Sequence, residues 1–278
     1  MSNQEPIRLL HGLRVIESSM LGPAAITVHL ADLGADVIKV EPPTGDYVRD
    51  MTWPIVNGVS LMHLHINRGK RSVALDLRTE AGVDTYLELV KTADVVVEAM
   101  RPGALAKRGL TWERLTEANP KIVFCTISGY GATGPYQDLP SHGVAYDTWA
   151  GLVQPAVDEE GMTYIPEHPS MGIHAGPLLG AFGILAAVMH ARATGEGVRM
   201  ELAQSDAAAY MDWYRIESWR VLEQGSERLG EPNHGVVVGR DFWLIGDSGW
   251  DRVGEDGRLR TPPGARSAVL LRLGLDGR

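Results

Sequence analysis

Apolar and polar positions along the first 130 residues alternate between short strand-like runs and segments with helical spacing. The predicted strands cover 13–17, 35–40, 72–77, 94–98 and 121–128. The predicted helices cover 24–33, 80–92, 102–108 and 111–118. A helix between two strands makes those strands parallel through a right-handed crossover. The pattern therefore predicts an α/β domain with a mostly parallel sheet.

Beyond residue 128 the pattern predicts loops at 129–140 and 158–170, followed by a long apolar helix over 173–192. A tight turn at 194–197 leads into a strand at 198–202, and a further helix is predicted over 206–222. From Ser248 onward Arg, Gly and Asp predominate, with little apolar periodicity. We therefore predict a large α/β domain over residues 1–222, with a partial small-domain segment and a poorly specified tail over residues 223–278.

Charge and cysteine content narrow the class of protein. The formal net charge of -9 on 278 residues argues against general nucleic-acid binding, which needs a broad positive field. Only one cysteine is present, Cys125, so no intrachain disulfide can form, which fits the reducing cytoplasm. Residues 1–10 carry neither an apolar core nor a positive cluster, so we expect no signal peptide. His174 and Pro177 interrupt the apolar segment 172–189, which predicts a buried helix rather than a membrane span.

A compact cationic turn stands out on this acidic chain. Arg68, Lys70 and Arg71 fall within four residues beside Gly69, immediately before a predicted strand. Such a turn suits the phosphates of a small molecule, although most charged runs are solvated surface. No GxGxxG follows the first strand, so the nicotinamide-type fingerprint is absent. His63 and His65 have no clear third ligand, so we expect no metal.

Short motifs in a fixed order extend from residue 11 to about residue 210. They are HGLRVIE at 11–17, LADLGADVIKVEP at 30–42, NRGKRS at 67–72, ADVVVE at 93–98 with RPG at 101–103, ISGYG at 127–131, TGPY at 133–136 and TGEG at 194–197. In this order they resemble the class III CoA-transferase family, which includes formyl-CoA transferase, carnitine CoA-transferase and alpha-methylacyl-CoA racemase. The resemblance implies a Rossmann-like large domain that binds coenzyme A, and in many members two interlocked chains. Its members run beyond 278 residues, so we expect a reduced or missing small domain.

By match to the family motifs, a set of charged and polar residues is implied as the contact surface for coenzyme A. The set is Lys39, Asn67, Arg68, Lys70, Arg71, Glu98, Arg101 and Arg108. The implied substrates are acyl-CoA and carboxylates. No nucleic acid, membrane or metal is expected, and a homodimer, possibly interlocked, is expected in the cytoplasm.

The catalytic position departs from the family pattern. Transferases of the family use an aspartate that attacks the acyl-CoA thioester, and counting back from the GILAA motif places that position at Gly172, or at most Ile173. Neither residue can act as a nucleophile. In the racemase branch a histidine removes the proton beside the thioester carbonyl, and His142 matches its position. His174, at a helix start, is the second candidate base.

Three interpretations therefore remain open. The leading one is a CoA-transferase acting on acyl-CoA thioesters and carboxylic acids. The alternatives are an acyl-CoA racemase or isomerase with His142 as base, and a catalytically silent CoA-binding subunit. Asp147 and Glu167 are either solvated loop acids or carboxylates that approach the thioester.

Overall fold

Six parallel strands form the central sheet of the first of two units, Met1–Glu217 and Ser218–Arg278. The computed structural model describes residues 7–140, 142–211, 235–238, 241–246 and 269–274. The sheet strands are β1 (Arg14–Ser19), β2 (Asp36–Glu41), β5 (Arg71–Ala74), β6 (Val95–Ala99), β7 (Val123–Ser128) and β10 (Val198–Ala203). Across the sheet their order is β10-β7-β6-β1-β2-β5. Two small hairpins pair β3 (Ile55–Val56) with β4 (Val59–Ser60) and β8 (Ala156–Val157) with β9 (Thr163–Tyr164).

Seven α-helices are described in this unit. They are α1 (Ala25–Asp32), α2 (Leu61–Asn67), α3 (Glu80–Val90), α4 (Trp112–Ala118), α5 (Gly143–Trp149), α6 (Met171–Thr194) and α7 (Gln204–Met211). Hydroxyl caps start several of them, because the Thr79 side chain accepts the Gly82 N–H and the Thr111 side chain accepts the Arg114 N–H. Each cap satisfies a backbone donor that the first helical turn leaves free.

Alternate residues of the strands build a separate core on each face of the sheet. On one face Val15, Val37 and Val97 pack with residues of α1 and α6. On the other face Ile16 and Val96 pack with residues of α3 and α4. The four inner strands β1, β2, β6 and β7 are buried on both faces, as continuous apolar runs predict for a parallel sheet covered by helices. The edge strands β5 and β10 are partly exposed.

The predicted fold class is confirmed, and every strand of the central sheet was predicted to within two or three residues of its observed bounds. The helices α2 and α5, each of seven residues, were not predicted. The predicted helix over 206–222 is described as α7 as far as Met211, and its remainder lies outside the described residues.

The long helix α6 is apolar over most of its length and ends at Gly195, which adopts the left-handed conformation with φ 84°. By length and composition it is able to cross a membrane, but half of its most apolar window is buried in this unit. Core helices of water-soluble proteins share that property, so length and composition do not decide between the two settings.

In the second unit the described residues form a three-stranded antiparallel sheet of β11 (Gly235–Val238), β12 (Asp241–Gly246) and β13 (Val269–Gly274). The strand β13 overlaps the apolar stretch near the end of the chain. Most of the predicted tail after Ser248 lies outside the described residues. The predicted domain division at residue 222 stays a prediction.

Candidate functional site

All carboxyl ends of the parallel strands meet at one edge of the sheet. This carboxyl edge gathers the loops after β1, β6 and β7, together with the first turns of α3, α4 and α6. Open parallel sheets bind ligands at that edge. The opposite, amino edge holds the starts of β1, β2 and β5.

The cationic turn of residues 67–71 does not present its three cations to one place. The Arg68 guanidinium forms an ion pair with Asp32, and Arg71 donates to both carboxylate oxygens of Asp36 at 2.6 and 2.7 Å. Both arginines therefore face acids near the amino edge. Lys70 points into the protein instead, and only 2% of its side chain is exposed. The turn is thus neutralised within the protein.

Lys70 belongs to a buried ion cluster, which comprises Glu17, Lys39, Asp46 and Lys70. The Glu17 carboxylate forms ion pairs with Lys70 at 2.7 Å and with Lys39 at 3.1 Å. Lys39 also forms an ion pair with Asp46 at 3.2 Å. Parallel pairing places Glu17 of β1 directly beside Lys39 of β2. Asn67 holds Lys70 in place, because its side-chain oxygen accepts from Lys70 Nζ at 3.0 Å. Two cations are thus balanced by two carboxylates.

The pKa values within the buried ion cluster follow from burial and from these pairs. Burial opposes ionisation of Glu17, but Lys70 and Lys39 hold the pKa of its carboxyl below the ordinary value. Burial likewise opposes the charge of Lys39, but Glu17 and Asp46 raise the pKa of Lys39. For Lys70 burial prevails over Glu17 and lowers its pKa to about 8.

Glu98 anchors the loop that follows β6. It is 2% exposed, its Oε1 accepts the Leu105 N–H at 2.8 Å, and its Oε2 accepts the Thr126 hydroxyl at 3.2 Å. Burial raises the pKa of this carboxyl, and the opposing effect of those hydrogen bonds is smaller. Through Leu105, Glu98 fixes the backbone between Arg101 and Arg108.

The loop after β6 and the start of α3 enclose a cationic cleft of about 300 Å³, which we define by Arg78, Lys107, Arg108 and Arg114. Lys107 and Arg108 are exposed, and among the described residues neither has an ion-pair partner within 4.0 Å. Arg78 is paired with Asp76 at 2.8 Å, and Arg114 donates to the Gly109 carbonyl. Glu80 and Asp84 also line the cleft, so it retains some negative charge.

A larger hollow of about 670 Å³ lies at the amino edge, where Arg8, His11, Asp32, Asp36 and Arg71 line it. Its Arg71 is already bound by Asp36, which also accepts from Arg14 at 2.8 Å. The pKa of the Asp36 carboxyl is lowered by these arginines against the effect of burial. The larger hollow is therefore electrostatically balanced on its own.

At the carboxyl edge, α5 and α6 meet at what we call the α6 entrance, made of Asp147, His168 and Gly172. Asp147 has 0% exposure, and its Oδ1 accepts the Gly172 N–H at 2.7 Å. A Cβ on Gly172 would lie 2.6 and 2.8 Å from the Tyr146 ring and 3.0 Å from Asp147 Oδ1. No side chain fits at position 172, because α5 already occupies that space.

Two buried polar atoms of the α6 entrance have no hydrogen-bond partner among the described residues. They are Asp147 Oδ2 and His168 Nε2, which face each other at 4.0 Å. The other ring nitrogen of His168 lies 3.1 Å from the Pro166 carbonyl. Burial raises the pKa of Asp147, while the Gly172 N–H and His168 oppose that rise. The carboxylate is thus held at a helix N-terminus with one oxygen free.

The remaining sequence candidates are distributed around this entrance. His142 precedes α5, His174 lies in the first turn of α6, and both are exposed. Ile173 turns toward the loop after β1, since a Cβ added to Gly22 would lie 2.0 Å from it. Glu167 is exposed, as the solvated interpretation expects.

Sequence reasoning missed the cleft partners Arg78, Lys107 and Arg114, because they belong to none of the motifs used. It also left Asp147 as a loop acid, whereas the structure buries it in α5. No spacing signal in the sequence marks this burial. Cys125 is buried in β7, which raises the pKa of its thiol to about 12. Within the described ranges no group of three or more His, Cys, Asp or Glu side chains is arranged to hold a metal.

Comparison with known proteins shows similarity to CoA-transferases. The pattern described as CoA-transferase family III matches residues 10–247. The chain is 35% identical to a succinate–glutarate CoA-transferase of Agrobacterium fabrum, over 94% of this chain and 66% of that protein. It is 34% identical to the beta subunit of a succinyl-CoA–L-malate CoA-transferase of Chloroflexus aurantiacus, over 81% of this chain and 55% of that protein.

Solved structures agree with the fold. The protein Rv3272 of Mycobacterium tuberculosis superposes with a TM-score of 0.69 at 31% identity, covering 87% of this chain and 66% of that one. A CAIB/BAIF family protein of Brucella suis gives a TM-score of 0.68 at 29% identity, covering 87% and 66%. The chain spans 55% and 66% of the length of the two curated relatives named above. The ordered motifs, the parallel sheet and these matches together show that the chain belongs to CoA-transferase family III.

Proposed function

We propose that this chain binds coenzyme A thioesters and transfers CoA between carboxylic acids. The observation that carries the proposal is the cationic cleft, where exposed cations stand at the carboxyl edge of a parallel sheet in a chain of this family. Coenzyme A offers a 3'-phosphate and a diphosphate, and guanidinium groups bind phosphates with two parallel hydrogen bonds. The cleft supplies the complementary charge.

Within the predicted contact set, the structure favours Arg101 and Arg108 for the phosphates. Both are exposed, and neither has an ion-pair partner among the described side chains. Arg68 and Arg71 already bind Asp32 and Asp36, so a phosphate would have to displace a carboxylate there. Unpaired cations bind an anion without that cost.

Lys39, Asn67, Lys70 and Glu98 have a different place in the proposal. Their polar atoms are engaged inside the protein, in the buried ion cluster or in the loop after β6. We infer that they shape the backbone around the nucleotide rather than contact it. Cytoplasmic localisation and a homodimer, interlocked or not, stay predictions.

A second candidate function is proton abstraction at the carbon beside the thioester. The exposed imidazoles of His142 and His174 flank the α6 entrance, on neighbouring helices. Neutral imidazole is a suitable base near neutral pH. Gly172 and Ile173 supply no carboxylate at the position the family uses, which also keeps a silent CoA-binding subunit as a rival.

Mass spectrometry of product esters separates the three. The chain is incubated with succinyl-CoA and a carbon-13-labelled carboxylic acid, in deuterated water. Labelled acyl-CoA supports transfer, whereas deuterium at the alpha carbon that disappears in His142→Ala supports proton abstraction. Coenzyme A binding without either product supports the silent subunit. If the chain shows no coenzyme A binding and forms no product, all three candidate functions are overturned.

A further inference from the structure

We propose that Asp147 is the carboxylate that accepts the acyl group, supplied by α5 rather than by α6. This inference rests on the proposed CoA transfer. The position of the family's aspartate, counted back from the GILAA motif, falls on Gly172 or Ile173. Neither residue has a carboxylate. The Gly172 N–H nevertheless binds Asp147 Oδ1 at 2.7 Å, so a carboxylate stands one hydrogen bond from that position.

The packing at Gly172 excludes an aspartate at that residue as long as Asp147 keeps its present place. A Cβ at residue 172 would lie 2.6 Å from the Tyr146 ring and 3.0 Å from Asp147 Oδ1. An aspartate at 172 would therefore collide with the side chain that now fills the space. The absence of a Cβ on Gly172 is what allows Asp147 to reach the first turn of α6.

The carboxylate has one oxygen held and one oxygen free. The Gly172 N–H at the start of the 24-residue α6 binds Oδ1, and the positive end of the helix dipole favours the anion. Oδ2 is buried and has no hydrogen-bond partner among the described residues. An unpartnered buried carboxylate oxygen is costly, which marks the place as a site rather than as ordinary packing.

Further polar atoms without partners surround the first turns of α6. Ser128 Oγ and Gln204 Oε1 are buried and lack a partner in the described part of the chain. They stand at the carboxyl ends of the adjacent strands β7 and β10, and Gln204 lies against Gly176, one turn along α6. Together with His168 Nε2 they give a reacting carbonyl and a carboxylic acid several groups to bind.

We infer that the His168 side chain separates Asp147 from solvent. Its side chain is 19% exposed, whereas that of Asp147 is 0% exposed. The 4.0 Å between Nε2 and Oδ2 exceeds a hydrogen bond, so a rotating imidazole gives up its 3.1 Å hydrogen bond to the Pro166 carbonyl but none to Asp147. That rotation uncovers Oδ2 for a thioester.

The chemistry balances without any further reactant. Asp147 Oδ2 attacks the thioester carbonyl carbon, the C–S bond breaks, and CoA leaves as the thiolate, which gives a mixed anhydride. The thiolate then attacks the Asp147 carbonyl carbon, and the first carboxylic acid leaves with one oxygen of Asp147. The second carboxylate attacks the Asp147 thioester, and the released thiolate takes the new acyl group. Asp147 retains one oxygen of the second acid.

The oxygen that Asp147 retains from the second acid makes the proposal testable. The full chain is incubated with succinyl-CoA and an acid whose carboxylate carries oxygen-18, and its peptides are then weighed. We expect heavy oxygen in the peptide that contains Asp147. We also expect Asp147→Asn to lower transfer by at least about a thousandfold, as removal of a nucleophile does. The asparagine oxygen still accepts the Gly172 N–H, so the fold is kept, and circular dichroism with CoA titration checks this.

Glu167→Gln is the matched control, because Glu167 is an exposed carboxylate one residue from His168. We expect it to transfer CoA at the unaltered rate. Label in another peptide, or full activity in Asp147→Asn, overturns Asp147 as acceptor and leaves CoA transfer standing. A chain that binds CoA but transfers none also overturns it. A chain that neither binds nor transfers overturns the proposed function itself.

Discussion

The buried ion cluster and the cationic cleft both contain cations, but the two regions differ in what balances those cations. In the buried ion cluster, Lys39 and Lys70 are each 2% exposed and meet Glu17 and Asp46. In the cationic cleft, Lys107 and Arg108 are exposed and meet no carboxylate within ion-pair distance among the described residues. A cluster of cations in the sequence therefore indicates a ligand site only where the fold leaves those cations unpaired.

The energetic consequences also differ. Breaking a buried pair leaves a charge that has lost both water and partner, whereas breaking a surface pair returns two charges to water. The buried ion cluster should therefore govern stability, and the cationic cleft should govern binding.

The largest expected effect is on the free energy of unfolding of Glu17→Gln. Lys70 loses its carboxylate partner, and Lys39 loses one of its two carboxylate partners. We therefore expect the free energy of unfolding to fall by about 3–5 kcal/mol. Urea unfolding followed by circular dichroism measures it. A loss no greater than that of a surface variant would show that the buried ion cluster is not a determinant of stability.

A smaller effect is expected in the pH dependence of stability. The pKa of Lys70 is about 8 in the folded chain against an ordinary 10.5, so between these values the unfolded chain binds more protons. Stability from this group therefore rises with pH in that window. The free energy of unfolding of the native chain, minus that of Lys70→Met, should rise by up to about 1.4 kcal/mol per pH unit.

The subtraction removes the ionisation of Cys125 and of the tyrosines, which both proteins share. Urea titrations at several pH values within the window supply the two free energies. A difference that stays flat, or falls with pH, would mean that burial does not lower the pKa of Lys70 in the folded chain.

The smallest effect on stability is expected at the surface end of the cationic turn. In Asp32→Asn, Arg68 loses its carboxylate, but both side chains are 42% exposed, so water replaces the partner. We expect a loss below about 1 kcal/mol. Because Asp32 and Glu17 each neutralise a residue of one five-residue turn, this variant is the matched control for Glu17→Gln. Equal losses would remove the contrast between the inner and outer halves of the turn.

The sequence predicted the sheet well, because strands buried on both faces read as continuous apolar runs, as in 95–99 and 123–128. Through the family resemblance it named Arg101 and Arg108 as candidate contacts for coenzyme A, and their role stays a prediction. It did not separate Lys70 from Arg68 and Arg71, because side-chain direction within a turn depends on distant partners such as Glu17, 53 residues earlier in the numbering.

Asp147 shows a different kind of limit. The short helix α5 gives no helical period, so the burial of Asp147 was not visible from spacing. Its importance depends on a glycine 25 residues later, whose missing Cβ leaves room for it. Only the packed structure brings these two positions together.

The central claim is that coenzyme A is held by the unpaired cations at the carboxyl edge. Calorimetric titration of coenzyme A into the native chain, Arg108→Ala and Arg71→Ala tests it most directly. Loss of a charge-assisted hydrogen bond at Arg108 should weaken binding at least about tenfold, while Arg71→Ala should stay within about twofold of the native chain. Unchanged binding in Arg108→Ala, or an equal loss in Arg71→Ala, would contradict the claim.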